Sequence, residues 1–117
     1  SAAGVAALQA EIEENKSDMS DSGWISITTK YQPIRYRKVG KLVQFYFWND
    51  KAIPRDTTIA QLPEGYRPKF PFYPNSMFII DTFAGNSKIS IDEDGLVVAN
   101  SEIESVNWTF FYTTWLV

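Results

Sequence analysis

The chain has no cysteine and no histidine among its 117 residues. That double absence excludes thiol nucleophiles, Ser-His-Asp relays, imidazole general bases, Cys/His zinc sites and disulfide staples. A strong excess of one charge is also missing: 11 Lys+Arg stand against 14 Asp+Glu, a formal net charge of -3. A general phosphate-backbone binder would carry a concentrated basic surplus, so nucleic acid is not an expected partner. Long apolar runs are lacking too. The longest, Phe45-Tyr46-Phe47-Trp48 and Met77-Phe78-Ile79-Ile80, fall far short of the roughly 20 residues needed for a membrane-spanning helix, so membrane insertion is not expected. Two chemistries need neither His nor Cys: paired carboxylates and oxygen-only metal sites.

What is present divides the chain in two. Residues 1–22 read as a helical neck and linker, and residues 23–117 as a β head. The first part holds Ala, Glu, Gln and Lys, all good helix formers, and no aromatic residue or proline. Val5, Leu8, Ile12, Asn15 and Met19 are spaced 3, 4, 3, 4, the a/d seam of a coiled coil. A helix of this length, about 25 Å, is marginal alone in water, so its apolar stripe needs a cover. One cover is the chain's own head. The other is a parallel oligomeric coiled coil, and Asn15 on the seam favours it, because a lone seam amide fixes register and oligomer state. The start, Ser1-Ala2-Ala3-Gly4 without an initiator Met, leads us to expect a piece of a longer protein.

From Trp24 onward short alternating runs are broken by Gly, Pro, Asn and Asp. They predict strands at 24–29, 34–39, 42–48, 57–62, 76–83, 88–92, 96–100 and 106–115. Eight short strands predict an all-β fold, an antiparallel β-sandwich of jelly-roll-like kind. Gly40 predicts a tight link between two strands, Asp94-Gly95 a type I′ hairpin, and Leu62-Pro63-Glu64-Gly65 a turn with Pro at its second position. Two strands look apolar on both faces: Val43, Phe45 and Phe47 oppose Leu42, Tyr46 and Trp48, while Trp108, Phe110 and Tyr112 oppose Phe111, Trp115 and Val117. A head this small cannot cover both sides from within, which points to a subunit interface.

Candidate chemistry is sparse. Asp92-Glu93-Asp94-Gly95 reads first as a hairpin turn, since it lacks the spaced ligands of a calcium loop. No metal, cofactor or catalytic residue is expected. Trp48-Asn49-Asp50-Lys51 places an aromatic plate beside a donor, an acceptor and a cation, a mixture suited to sugar rings, whose C–H faces stack while their hydroxyls hydrogen-bond. Core or interface packing explains the same Trp equally well, and Trp108 and Tyr112 carry the same alternatives. Arg35, Arg37, Lys38 and Lys41 cluster around the first hairpin; the ordinary reading is a solvated strand face, the others a nucleic-acid contact, given the aromatic residues nearby, and an attraction to an anionic polymer.

The order Tyr36-Arg37-x-x-Gly40-x-x-Val43, then Leu62-Pro63-x-Gly65-Tyr66-Arg67-Pro68, then Ile89-x-Ile91-x-x-x-Gly95 and a Trp/Tyr-rich final strand resembles the C-terminal domains of tail-fibre, baseplate and receptor-binding proteins of phages that infect Gram-positive bacteria. The resemblance runs from Trp24 to the C-terminal end. It implies a homotrimeric β-sandwich head on a helical neck at the virion tail tip, which adheres to a host cell-wall saccharide, contacts other tail or baseplate proteins and has no enzymatic activity. Some lactococcal-phage heads carry a His-x-Asp pair before the glycine hairpin and a Trp after it; the matching positions here are Lys88, Ser90 and Ala99 or Asn100. Trp48, Asp50, Lys88, Ser90, Trp108 and Tyr112 are therefore the expected saccharide-binding candidates. A structural assembly module and a glycan-degrading spike are the alternatives.

Overall fold

The computed structural model describes residues 20–73, 76–81, 87–104 and 108–117. Among them the chain forms eight strands and no helix: β1 (Ile25–Ile27), β2 (Ile34–Val39), β3 (Leu42–Asn49), β4 (Thr58–Gln61), β5 (Met77–Asp81), β6 (Lys88–Asp92), β7 (Leu96–Ala99) and β8 (Thr109–Leu116). The expected neck seam, Val5, Leu8, Ile12, Asn15 and Met19, lies outside the described residues, as do the end of the 76–83 run and the start of the 106–115 run.

The strands form two antiparallel four-stranded sheets, in the orders β1-β2-β3-β8 and β4-β7-β6-β5. Strand alternation decides what lies between them. Ile34, Val43, Phe45, Phe47 and Phe111 from the first sheet and Ile89, Ile91, Val97 and Ala99 from the second are fully buried in one core, so the arrangement is that of a β-sandwich. Rings fill the core within the first sheet and cross to the second at Trp115. Phe47 stacks on Phe111 at 5.9 Å, and Trp115 lies 6.0 Å from Phe45 in its own sheet and 6.1 Å from Phe78 in the other. A further tie joins the two long connections, where Ile53 and Ile103, both fully buried, exchange backbone hydrogen bonds of 2.9 Å.

The strand order corrects the jelly-roll expectation. β1, β2 and β3 form a meander flanked by β8, and only β4 through β7 follow a Greek key, in which the long β4–β5 connection lets β4 pair with β7. Tight links explain why neighbours in sequence pair locally. Gly40, at φ 59, opens the two-residue loop between Val39 and Leu42, the glycine-first form whose twist suits a hairpin.

Two turns differ in detail from their sequence signals. Asp94 does not take positive φ, so the β6–β7 link is not type I′. Gly95 N donates to Asp92 O at 2.9 Å with Gly95 at φ 77, a turn closed by a left-handed glycine. The Asp92 carboxylate caps it by accepting from the Asp94 and Leu96 amides at 3.0 Å each. At the other turn Tyr66 N donates to Pro63 O, and Gly65, at φ 88, occupies the third position. The turn therefore starts one residue later than expected, because only glycine meets the positive φ of that position freely.

Gly95 is also sterically held. A Cβ there would lie 2.7 Å from Leu62 O and 2.9 Å from Arg67 Cγ. Gly95→Ala is expected to cost about 2–4 kcal/mol, combining left-handed strain with overpacking; a urea unfolding midpoint unchanged from wild type would contradict this close approach.

Residues 20–23 are not a free linker. Ser22 N donates to Lys38 O, Gly40 N to Ser20 O and Lys38 N to Ser22 Oγ, extending the line of β1 along β2. Asp21 forms an ion pair with Arg37, with Arg37 Nε at 2.8 Å from Asp21 Oδ1. The hydrogen bond from Arg37, aided by the Gly23 amide, lowers the Asp21 carboxyl from 3.8 to about 2. A folded value below the unfolded one adds stability above the ordinary carboxylate range, and that stability is lost as pH falls through about 2. Protection factors of the Ser22 and Lys38 amides, exchange measured against the intrinsic rate at each pH, should therefore stay high at pH 4 and fall toward pH 2, whereas Asp21→Asn should already show the lower protection at pH 4.

Candidate functional site

The first sheet turns its second face outward, and the β2, β3 and β8 registers set the side chains there in rows. Trp48 faces Phe110; Arg35, Tyr46 and Tyr112 share the next row; Arg37, Gln44 and Thr114 follow; Val39, Leu42 and Leu116 end the series. Rows about 7 Å apart on strands about 4.8 Å apart give a face roughly 20 Å long. Its apolar members are left uncovered. Trp48 is 44% exposed, Trp108 55% and Tyr112 46%, with Trp24, Phe110 and Leu116 also exposed.

The rings touch one another. Trp48 and Trp108 lie 4.6 Å apart, Tyr46 and Phe110 4.9 Å, and Trp24 stands 6.4 Å from Tyr46 in an edge contact. Such tilted and edge-on pairs hold one another's orientation better than isolated surface rings would. Trp24, Arg35 and Tyr46 line a hollow of about 320 Å³ in this face. Arg37 lies over the Trp24 ring at 5.9 Å, and Gln44 Nε2 reaches the Tyr112 hydroxyl at 3.4 Å. A flat apolar surface edged by guanidinium, amide and phenol groups can stack on a sugar's C–H face and bond its hydroxyls.

The two ends of the face differ. At one end Ser20 meets Gly40 and Val117 meets Lys41 through backbone hydrogen bonds, and the row there is aliphatic, Leu42 beside Leu116. At the other end the Trp48–Trp108 pair sits near Asp50, whose carboxylate accepts from Gln32 Nε2 at 2.9 Å. The Trp48–Trp108 pair thus lies at the end of the sheet opposite to Ser20.

The six sequence candidates separate into two groups. Trp48, Trp108 and Tyr112 share the outward face of the first sheet, with Asp50 just beyond the end of β3. Lys88 and Ser90 belong to β6 in the second sheet. Lys88 pairs with Asp81 at 3.7 Å, and Ser90, between Ile79 and Val98, is only 6% exposed. The basic cluster also divides: Arg35 and Arg37 lie on the outward face, while Lys38 turns to the other side of β2 and donates to Gly65 O at 3.1 Å. Trp24 and Tyr46 were not expected in binding, although the alternation in β3 already placed Tyr46 beside Trp48 on one face, and Arg35 was noted only within the basic cluster.

Some carboxylates are engaged in structure, whereas the side chains of Asp56, Glu64, Asp94, Glu102 and Glu104 make no hydrogen bond or ion pair among the described residues. Asp21, Asp50, Asp81 and Asp92 have the partners given above, and Glu93 accepts from the Phe70 amide at 3.1 Å. Among the described residues no group of three or more Asp and Glu could hold a metal ion, and no helix is long and apolar enough to cross a membrane. No protein-family model matches the chain, and no curated protein matches it.

Proposed function

We propose that the chain is a non-catalytic host-adhesion head of a phage tail, which binds a cell-surface saccharide on the outward face of its first sheet. The observation that carries the binding reading is the outward array of rings, in which Trp24, Trp48, Trp108 and Phe110 are exposed and held by ring contacts to one another or to the half-buried Tyr46, with exposed Tyr112 and Arg35 beside them. The phage setting is supported by the resemblance in the 36–43, 62–68 and 89–95 motifs. A homotrimer on a helical neck completes the proposal: three weak sites on one spike, multiplied over a tail tip, give avidity without any tight single site.

A second reading, assembly against other tail or baseplate proteins, is favoured by one observation. The Leu42–Leu116 row is aliphatic and uncovered, and Leu116 is 70% exposed; such a surface suits a protein neighbour better than a sugar. The two readings divide the face, with the leucine end meeting a subunit and the tryptophan end meeting the ligand. Pre-incubating susceptible cells with excess purified chain is expected to reduce adsorption of a phage that displays it. Undiminished adsorption would favour the assembly role.

A further inference from the structure

A groove on the other side of β2 is independent of the aromatic face. It encloses about 650 Å³ beside Lys38, Arg67, Lys69, Pro68 and Phe70, within the roughly 300–1,000 Å³ usual for small-molecule sites. Its wall is the 62–71 segment, which the Leu62-Pro-x-Gly-Tyr-Arg-Pro68 motif fixes from several directions. Leu62 N donates to Gly95 O at 2.8 Å, and Trp115 Nε1 donates to Tyr66 O at 2.9 Å. The Tyr66 ring packs edge-on against Tyr36 at 4.9 Å, and the Phe70 ring lies 4.9 Å from Phe78. A wall so held needs little ordering when a ligand arrives.

The charges around it are unevenly spent. Lys38 uses one donor on Gly65 O and lies 4.6 Å over the Tyr66 ring. Arg67 uses its Nε on Leu62 O at 2.8 Å, which fixes the guanidinium and leaves its two terminal amino groups available. Among the described residues the ion pairs are Arg37–Asp21 and Lys88–Asp81, so Lys38, Arg67 and Lys69 have no carboxylate within 4.0 Å. Glu93 and Glu64 also line the groove; the Phe70 amide donates to Glu93 Oε1 and holds that carboxylate in place, and Glu64 sits on an exposed turn. Three cations outnumber the two carboxylates, and beside a Pro68–Phe70 apolar floor they leave the groove net positive, suited to an anion carried on a compact hydroxylated body.

We propose that this groove binds a phosphate-bearing sugar. A guanidinium fork with two separate ammonium groups matches an anion with three oxygens, whereas a planar carboxylate would be satisfied by the fork alone. Titration of the ¹⁵N-labelled chain with glucose 1-phosphate, glucose and glucuronate tests it. Glucose 1-phosphate is expected to shift the Gly65, Arg67, Lys69 and Phe70 amides, with affinity falling as NaCl is raised. Arg67→Gln should weaken binding about tenfold and Lys69→Gln about threefold. Lys69 is exposed and makes no hydrogen bond through its side chain among the described residues, so Lys69→Gln is expected to melt as wild type does and keeps the test valid if Arg67→Gln fails to fold. Equal binding of glucose or glucuronate, or no shift at these amides with glucose 1-phosphate, overturns the proposal. A Trp48/Trp108 double alanine variant should leave this titration unchanged, which separates the groove from the saccharide reading of the aromatic face.

Discussion

Trp115→Ala is expected to lower the stability of the chain by about 3–5 kcal/mol, the usual cost of removing a buried aromatic side chain, or on the order of 20 °C in melting temperature for a domain this small. Trp115 is 5% exposed and joins three parts of the molecule: Phe45 in its own sheet, Phe78 in the other, and the Tyr66 carbonyl of the 62–71 wall. Its loss leaves a void between the sheets and a carbonyl without its donor. Trp115→Phe keeps most of the ring contact and removes the N–H, so it should cost only about 1–2 kcal/mol. Calorimetry on both variants separates the packing from the hydrogen bond. Equal melting temperatures for the Ala and Phe variants would contradict the bridging role.

Replacing Trp48 and Trp108 together by alanine is expected to do the reverse, removing function and sparing the fold. Both indoles are about half exposed and lean chiefly on each other, so the melting temperature should move by only a few degrees, as for surface changes of about 0.5 kcal/mol. Binding should suffer far more. A tryptophan anchor contributes on the order of 2 kcal/mol, so saccharide affinity should fall about thirtyfold or more. Calorimetric titration of wild-type and variant chains with the same envelope oligosaccharide measures the ratio. Unchanged affinity would assign the indoles to a protein contact instead.

Most of the fold was legible in the sequence because the β signals are local. The 34–39 and 88–92 runs match β2 and β6 residue for residue, and the two-faced pattern of β3 and β8 separated Phe45, Phe47, Phe111 and Trp115 from Trp48, Phe110 and Tyr112, although only the structure shows that the first set faces the core. Strand order was not legible, because pairing of β4 with β7 rather than β5 depends on the long connection between them and leaves no periodic trace. Turn types were read only in part. Asp94-Gly95 fits two hairpin forms, and only the φ of each residue distinguishes them.

The candidate site was half legible for a related reason. Alternation assigns a residue to a face within its own strand but not to a sheet, so nothing in the sequence showed that Lys88 and Ser90, singled out by the resemblance, lie on a different sheet from Trp48. The groove was invisible to the sequence reading. Its wall motif appeared as a turn and a resemblance, and nothing local shows that Lys38, distant in sequence, reaches Gly65 and Tyr66.

The central claim is that ligand is bound by the outward face of the first sheet, and residue-resolved NMR titration of the purified chain with a soluble fragment of host envelope polysaccharide tests it most directly. Shifts are expected at the Trp24, Trp48 and Trp108 indole N–H signals and at the Arg35, Tyr46 and Phe110 amides, with the β5 and β6 amides unmoved. Shifts confined to β5 and β6 around Lys88, or none at saturating ligand, would contradict it.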